Sequence, residues 1–425
     1  MMRTPRQAPG EVLGLIDIGT SKIVCLIVAL EPRGPSILAG MHMPFRVLGI
    51  GHQRSRGLKA GVITDLDQAE VAVRAAVDQA ESMAGVTLQD VFVSVACGRL
   101  RSETFAANAD VDGGIVADRQ IARVLDGARA YAERDGRMLV HLNRVGYRLD
   151  GAPGGRDPRG LAASQITLDM HTVTADDAPV RNLMLLIDRC YLGVAGLIVS
   201  PFASALAATS VEERRLGVTV IDIGGGVTSI ALFADGRFVH ADTLPIGGNH
   251  ATYDIARGLQ TPLAEAERIK ALYGTLSVAP SDGREAFSYP LAGEEPGAVA
   301  QITKAQLGEI LRPRMASLVA LVNERLEQCG LRSWVGDRVV LTGGASQLIG
   351  AGEFVANQLG RPVRVSGPDG AAALPGSIAV PAFSTVVGMV ASAAAGEGLV
   401  AARQERNVLT GGYFGRVGAW LREGF

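Results

Sequence analysis

Cysteine and histidine are scarce in this 425-residue chain, and neither is clustered. The four cysteines, Cys25, Cys97, Cys190 and Cys329, lie far apart and form no Cys-x-x-Cys pair. The six histidines include no His-Glu-x-x-His pattern. This composition argues against a disulfide-stabilised secreted scaffold and against a zinc site, and it predicts reduced, buried cysteines.

Strong net charge and long apolar runs are missing too. The net charge is −2, so the composition gives no electrostatic reason to expect nucleic-acid binding. The apolar run Ile23–Leu30 is far shorter than the about 20 residues that cross a bilayer. Asp17 and Lys22 precede it, which favours a buried strand over an export signal and predicts a cytoplasmic protein.

Two common nucleotide-binding patterns are also absent. The chain contains no G-x-x-x-x-G-K-[ST], and its glycines do not form G-x-G-x-x-G followed by an acidic residue. P-loop and Rossmann folds are therefore disfavoured.

Glycine, in contrast, is abundant: the chain has 53 glycines, while aromatic residues make up only 5% of it. This balance suits an α/β fold with tight turns. Two segments, Leu15–Ser21 (LIDIGTS) and Val220–Ser229 (VIDIGGGVTS), follow the same order of strand, aspartate, glycine turn and hydroxyl residues. Such a repeat predicts two related lobes. Glycine turns let backbone N–H groups approach phosphate oxygens, and aspartates can hold a hydrated cation.

A third segment, Val339–Ser346 (VVLTGGAS), predicts a strand that ends in a glycine pair and is followed by a helix. A planar base and ribose can lie against such a backbone, because no side chain stands in the way. Together the three segments resemble the superfamily of actin, the heat-shock chaperones and sugar kinases, in which they are the two phosphate motifs and the adenosine motif.

This resemblance implies ATP and Mg²⁺ as cofactors and assigns residues to them. Asp17, Gly19, Thr20, Ser21 and Lys22 would face the phosphates, and Asp17 and Asp222 would hold the cation through water. The remaining implied cofactor-binding residues are Gly224, Gly225, Gly226, Thr228, Gly248, Glu267, Lys270, Gly343, Gly344 and Ser346. The pair Glu267 and Lys270 matches the Glu-x-x-Lys helix of the superfamily, although a solvated i,i+3 ion pair is the alternative.

One position departs from the active ATPases of the superfamily. They carry Glu or Gln before a Pro-x-Ala pattern, where the side chain orients the attacking water, whereas this chain has Ser200 before Pro201 and Ala203. A serine is too short and too weakly basic for that role. We therefore predict ATP binding with slow or absent hydrolysis and assign no catalytic residue.

The last residues of the sequence form an amphipathic pattern. Wound as a helix, its large apolar side chains fall within an arc of about 140°; they are Tyr413, Phe414, Val417, Trp420, Leu421 and Phe425. Arginines lie outside this arc, as in helices that bind the membrane interface, while docking of the helix back onto the protein is the alternative. The segment 397–412 reads as a tether.

With this ending, the chain resembles the FtsA family of bacterial cell-division proteins. Supporting stretches run along nearly the whole chain, among them Thr261-Pro262, Pro313-Arg314 and Ser384–Gly388. The resemblance implies an α/β, actin-like, two-lobed ATPase fold with an inserted small α/β domain, called 1C, in place of the actin subdomain 1B, and a C-terminal amphipathic helix.

The implied domain boundaries follow the chain. After a disordered lead (1–11), subdomain 1A comprises 12–84, 162–200 and 371–396, and 85–161 form the inserted 1C. Subdomain 2A comprises 201–249 and 305–370, and 250–304 form 2B. A linker (397–412) and the membrane-targeting helix (413–425) complete the chain.

The resemblance also implies partners. They are the C-terminal peptide of FtsZ, other copies of the chain in filaments, later division proteins bound through 1C, and lipid at the cytoplasmic face of the inner membrane at the septum. Lys304, Arg312 and Arg314 are candidate contacts for the acidic peptide, or else solvated charges on a helix. A pilus-assembly actin homologue and a small-molecule kinase remain alternatives, whereas a chaperone would need a substrate domain for which too little chain remains.

Overall fold

The computed structural model describes residues 11–31, 45–132, 136–155, 157–277, 279–293, 295, 298–368 and 374–396. Most of the expected lead, the linker and the terminal amphipathic segment, with its six apolar residues, lie outside the described residues.

The strands are β1 (Val12–Ile18), β2 (Lys22–Leu30), β3 (Phe45–Arg54), β4 (Leu58–Lys59), β5 (Val62–Ile63), β6 (Asp90–Val95), β7 (Arg101–Asp110), β8 (Arg137–Leu149), β9 (Ala152–Pro153), β10 (Gln165–Asp176), β11 (Gly193–Val199), β12 (Val218–Ile223), β13 (Thr228–Ala234), β14 (Arg237–Leu244), β15 (Ala286–Pro290), β16 (Val299–Thr303), β17 (Val339–Thr342) and β18 (Val363–Val365). The helices are α1 (Leu66–Ala84), α2 (Asp118–Ala132), α3 (Asp177–Arg189), α4 (Ser200–Ala208), α5 (Val211–Leu216), α6 (Gly248–Leu259), α7 (Leu263–Tyr273), α8 (Lys304–Gln328), α9 (Arg332–Val335), α10 (Ala351–Leu359) and α11 (Ser384–Ala395).

Two five-stranded sheets share one topology. The first has the order β3-β2-β1-β6-β11 and the second has the order β14-β13-β12-β17-β18. In each sheet the first three strands run antiparallel and the last two lie parallel to the central strand or to each other. The repeated aspartate-glycine segments are therefore equivalent parts of two related lobes.

Close backbone contact fixes helix α1 on the first lobe. Asp65 caps the helix by accepting from the Gln68 N–H, and Gly85 ends it in the left-handed conformation. Gly49 and Gly51 of β3 lie beneath the helix, where any Cβ would overlap its backbone carbonyls. These glycines allow α1 to pack directly on the sheet.

Helices α4 and α11 pack against each other between the two sheets. Gly388 of α11 lies against the Ala203 carbonyl of α4, so closely that a side chain would overlap it. One face of α11 packs on the first sheet through Val386, Val387 and Val390. The crossing of α4 and α11 therefore links the lobes beside the cleft.

The inserted unit has its own four-stranded sheet, β7-β10-β8-β9, packed on α2. This unit spans Arg101–Asp176, which differs from the expected 85–161 at both ends. Strand β6 pairs with β1 and β11 of the first lobe, whereas β10 pairs with β7 and β8. Pairing between strands distant in sequence decides these boundaries, and local turn signals do not report it.

A smaller unit tops the second lobe. Strands β15 and β16 form a two-stranded antiparallel sheet, and α6 and α7 precede them in the chain. Helix α8 starts directly after β16, with Thr303 and Gln306 forming its capping box. Apolar residues of α6, α7 and α8 share the core of the second lobe.

Candidate nucleotide-binding cleft

Two glycine turns stand at the ends of β1 and β12. Each turn is closed by the same backbone bond: Gly19 N–H donates to the Lys22 carbonyl at 3.0 Å, and Gly224 N–H donates to the Val227 carbonyl at 2.9 Å. Asp17 and Asp222 are the second-last residues of their strands. The repeated sequence therefore yields repeated local geometry, with one carboxylate beside each turn.

The two turns face each other across a cleft between the lobes. Side chains at Gly225 and Gly226 would overlap Ser21 and Thr20 of the opposite turn. The Thr20 hydroxyl also accepts from the Gly61 N–H at 2.9 Å. The cavity beside the turns has a volume of about 520 Å³, within the range of cofactor sites.

The structure brings most of the expected residues to this cavity. All the residues assigned above to ATP line it except Thr228 and Ser346. The Thr228 hydroxyl donates to the Ile246 carbonyl at 2.7 Å, and the Ser346 hydroxyl donates to the Gly343 carbonyl at 2.7 Å. Both hydroxyls are therefore used within the walls and do not face the cavity.

Asp17 is partly buried, and a neighbouring strand orients it. Ser94 of β6 donates its hydroxyl to Asp17 Oδ1 at 2.7 Å and accepts from the Ile18 N–H at 3.2 Å. Burial raises the pKa of Asp17, and the Ser94 bond and the charge of Lys22 oppose that rise. No sequence motif marks Ser94 as a site residue, because only strand pairing brings it to the site.

Asp222 is partly buried as well, and its contacts come from both linking helices. Thr385 of α11 donates its hydroxyl to Asp222 Oδ2 at 3.3 Å. Burial raises the pKa of Asp222 to about 6; the negative charge of Asp17 adds to the rise, while hydrogen bonds from Ser204 of α4 and Thr385 oppose it. The two carboxylates therefore repel each other in the cleft.

The Lys22 ammonium group contacts other parts of the protein and is not fully solvated. Its ammonium donates to the Ala382 carbonyl and lies 4.0 Å from the centre of the Phe383 ring. Burial lowers the pKa of Lys22, and the charges of Asp17 and Asp222 counteract this effect. The lysine therefore joins the first turn to the segment that leads into α11.

The carboxylate pair fits a hydrated divalent cation. Two partly buried carboxylates that repel each other are stabilised by a positive charge between them. Among the described residues, no group of three or more His, Cys, Asp or Glu side chains is arranged to hold a metal. This donor set suits Mg²⁺, which keeps several waters and takes further oxygens from nucleotide phosphates.

The wall on the second lobe is formed by α6 and α7. Lys270 Nζ donates to the Gly248 carbonyl at 3.1 Å and to Thr252 Oγ1 at 2.7 Å, and it pairs with Glu267 at 2.7 Å. The i,i+3 pair is thus formed and anchored to the first turn of α6, and its lysine is mostly buried. Both residues line the cavity.

Further lining residues were not expected from the sequence. They include Gly61, Asn249, Gln347, Leu348, Ile349, Ala382 and Thr385. Ser200, at the start of α4, also lines the cavity, as the resemblance to the superfamily implies. The unexpected residues lie in segments without a glycine signature. The hydroxyl pair Ser384-Thr385 at the start of an apolar helix is the one signal that points to the cleft.

The candidate partner-binding cations differ in their pairing. Lys304 pairs with Glu285, and Arg314 makes two bonds to Asp254 at 2.6 and 3.0 Å. Arg312 has no ion pair within the described part of the chain, and its guanidinium lies over Gly308. Of the three, Arg312 is the most available to an external carboxylate.

No helix among the described residues is both long and apolar enough to cross a bilayer.

Comparison with known proteins matches two parts of this architecture. The family described as cell division protein FtsA matches residues 219–388. The SHS2 domain inserted in FtsA matches residues 97–174, which agrees with the separate sheet of the inserted unit.

Curated relatives match nearly the whole chain. The cell division protein FtsA of Rhizobium meliloti is 40% identical and covers 97% of this chain and 95% of its own length. Those of Pseudomonas aeruginosa and Escherichia coli K12 are 32% and 29% identical, covering 90% and 97% of this chain and 89% and 98% of their own lengths.

Solved structures share the fold at low sequence identity. The PilM-PilN type IV pilus biogenesis complex matches with a TM-score of 0.61 at 15% identity, over 90% of this chain and 98% of that chain. MreB5 of Spiroplasma citri bound to ADP matches with a TM-score of 0.50 at 14% identity, over 91% and 97%. The fold is therefore actin-like, with an SHS2 insertion.

Proposed function

The chain belongs to the FtsA family of cell division proteins, and on this premise we propose that it binds ATP with Mg²⁺ and links a division filament to the membrane. The main observation that supports ATP binding is the cleft itself. Two glycine turns pack closely against each other, each with a partly buried aspartate beside it, and they line one cavity of cofactor size. When bound, the cation would neutralise phosphate charge between Asp17 and Asp222.

The bound nucleotide is proposed to serve as an assembly ligand with slow hydrolysis. By the resemblance, Ser200 stands where the active ATPases of the superfamily carry Glu or Gln, and it lies buried at the cavity. Its hydroxyl cannot act as an effective general base for water at neutral pH. ATP then stays intact long enough to hold the two lobes together while copies of the chain self-associate.

FtsZ is the proposed partner of the second lobe. Its C-terminal peptide would bind the unit around 250–304 (subdomain 2B) and the start of α8. Arg312 supports this site because it is unpaired within the described residues, whereas Lys304 and Arg314 already have carboxylate partners. Arg312→Glu should weaken binding of an acidic FtsZ tail peptide, while Arg123→Glu on the inserted unit should not.

The inserted unit is proposed to recruit later division proteins. It has its own sheet and core, so it can present a surface without altering the cleft. This unit corresponds to subdomain 1C of the family.

The terminal segment is proposed to anchor the protein peripherally at the cytoplasmic face of the inner membrane, at the septum. Tyr413, Trp420 and Phe425 belong to its apolar face. A helix of this kind binds weakly alone. Self-association would therefore strengthen attachment through multivalency.

Reconstitution on vesicles tests this proposal and separates it from the alternatives. Full-length protein with ATP should sediment with phosphatidylglycerol-containing vesicles and should bring a fluorescent FtsZ tail peptide with it. Deletion of 413–425 should abolish co-sedimentation of both and leave ATP binding unchanged. For a small-molecule kinase or a pilus-assembly protein of the same fold, the deletion should not change co-sedimentation, and the peptide should not bind.

A further inference from the structure

Helix α11 begins at the cleft with hydroxyl groups that bond across to the second lobe. Its N-terminal flanking residue is Phe383, which cannot cap the helix with a side-chain hydrogen bond. The hydroxyls of Ser384 and Thr385 bond to residues outside their own helix. Ser384 bonds Thr342 of β17 at 2.7 Å, and Thr385 bonds Asp222 of β12 at 3.3 Å.

These two bonds join different lobes. The body of α11 packs on the first sheet, whereas β12 and β17 are neighbouring strands of the second sheet. The second linking helix, α4, approaches Asp222 through Ser204 and meets α11 at Ala203 and Gly388. Both helices that link the lobes thus contact the same carboxylate.

The surroundings of Asp222 restrict its carboxylate on other sides as well. It is partly buried, it faces the like charge of Asp17, and its Oδ1 lies against Gly343, where any side chain would overlap it. Gly343 has a positive φ of 89°, so the backbone there is shaped around the carboxylate. The oxygen Oδ2 accepts from the Thr385 hydroxyl.

We propose that Thr385 is a positioning residue, whose hydroxyl holds the Asp222 carboxylate toward the cation side of the cleft and ties it to the helix that links the lobes. The proposal deepens the proposed function, on which it rests, by naming what orients the cation-facing carboxylate. Ser204 assists from the opposite helix. The group recognised through Asp222 is a hydrated divalent cation carried by a nucleoside triphosphate.

Substitution of Thr385 by valine tests the role, because it removes the hydroxyl at almost constant volume. Thr385→Ser keeps the hydroxyl and serves as the rescue variant. Ser384→Ala is the matched control, since it removes the neighbouring hydroxyl bond between the same helix and the same sheet without touching Asp222.

The first readout is the affinity for a fluorescent ATP analogue, with Mg²⁺ and with EDTA. Thr385→Val should weaken binding in Mg²⁺ about tenfold, as expected for loss of a hydrogen bond to a charged group, and should leave binding in EDTA within about twofold. Thr385→Ser and Ser384→Ala should stay near wild type. Equal losses in Mg²⁺ and EDTA, or an equal loss in Ser384→Ala, would overturn the positioning role.

The second readout needs no nucleotide. Thr385→Val should lower the thermal midpoint by about 2 °C where Asp222 is present and by much less in Asp222→Ala, because the two side chains share one contact. Additive shifts would overturn the proposal. Coupled shifts without any Mg²⁺-dependent ATP binding would instead support the contact and refute the proposed nucleotide function.

Discussion

At the scale of single residues, the cleft concentrates charges that burial makes costly. Asp17 and Asp222 are partly buried and repel each other, and the Lys22 ammonium lies beside them. A folded protein without ligand therefore carries an electrostatic penalty at this site. The proposed binding of a cation and a polyphosphate would relieve this penalty.

Asp222→Asn should stabilise the nucleotide-free protein at high pH. Burial raises the pKa of Asp222 from its ordinary value of 3.8 to about 6, so the folded state binds this proton more tightly than the unfolded state. That stabilisation is complete below about pH 4 and is lost as the pH rises through 6. At pH 8 the substitution should raise the free energy of unfolding by up to about 3 kcal/mol.

Urea unfolding at pH 8 and pH 4.5 measures this effect, which should be clearly smaller at pH 4.5. An equal gain in unfolding free energy at both pH values, or a loss at pH 8, would show that the pKa of Asp222 is not raised in the folded protein.

Residues with a local signature were predictable from the sequence, and their supporting partners were not. Asp17, Gly225 and Gly343 belong to short motifs whose chemistry is evident from residue type and order. Ser94 and Thr385 reach the same carboxylates from positions 77 and 163 residues away in the chain. Only the strand order and the helix crossing bring them there.

At the scale of elements, the crossing of α4 and α11 sets how the lobes meet. The close approach of Gly388 to the Ala203 carbonyl is not evident from the sequence. The same holds for Gly49 and Gly51 beneath α1, since a glycine in a strand does not reveal which backbone approaches it. The predicted boundaries of the inserted unit differ from the observed ones for a related reason. Its last strand, β10, lies after residue 161, the predicted end of the unit.

Gly388→Ala should destabilise the protein by about 1–3 kcal/mol, because the added methyl group overlaps the Ala203 carbonyl and forces the helices apart. Gly127→Ala in α2 is the matched control: nothing lies near its Cβ position, so it should be neutral or stabilising. Chemical unfolding compares the two. Equal effects of both substitutions would refute the close crossing.

Ser200→Glu should accelerate ATP hydrolysis. Ser200 starts α4 and lines the cavity, so a carboxylate there can reach a water near the phosphates. A positioned general base contributes about 10²–10⁴-fold, and at least a tenfold gain in single-turnover rate is expected. Rapid hydrolysis by the wild type, unchanged by the substitution, would show that another residue orients the water.

At the scale of the whole molecule, the inserted unit contacts both lobes. Asn143 of β8 donates to the Phe238 carbonyl of β14 at 2.8 Å, and Ser102 of β7 accepts from the Ala241 N–H at 3.0 Å. The rings of His141 and His171 lie about 5 Å from Phe238 in the same junction. The inserted unit therefore braces the second lobe as well as the first.

This junction should weaken in acid, because burial lowers the pKa of His141 from 6.5 to about 3. Because this pKa is lowered, the unfolded chain takes up the proton before the folded protein does. The contribution of His141 to stability is therefore fully present above pH 6.5 and falls as the pH decreases. Between pH 7 and pH 5 the loss attributable to His141 is about 2 kcal/mol. His141→Phe should reduce the drop in unfolding free energy by that amount; an unchanged drop would refute a neutral, buried His141.

The paired lobes are the part of the architecture that the sequence predicts best, since equivalent aspartate-glycine segments lead to equivalent sheets. Calorimetric titration of ATP in Mg²⁺ into wild type and Gly225→Val determines whether ATP binds between the two turns. Saturable one-site binding is expected for the wild type, with an affinity at least tenfold lower in Gly225→Val, whose side chain would fill the space beside Ser21. Absence of binding by the wild type, or equal binding by a folded Gly225→Val, would show that ATP does not bind between the turns.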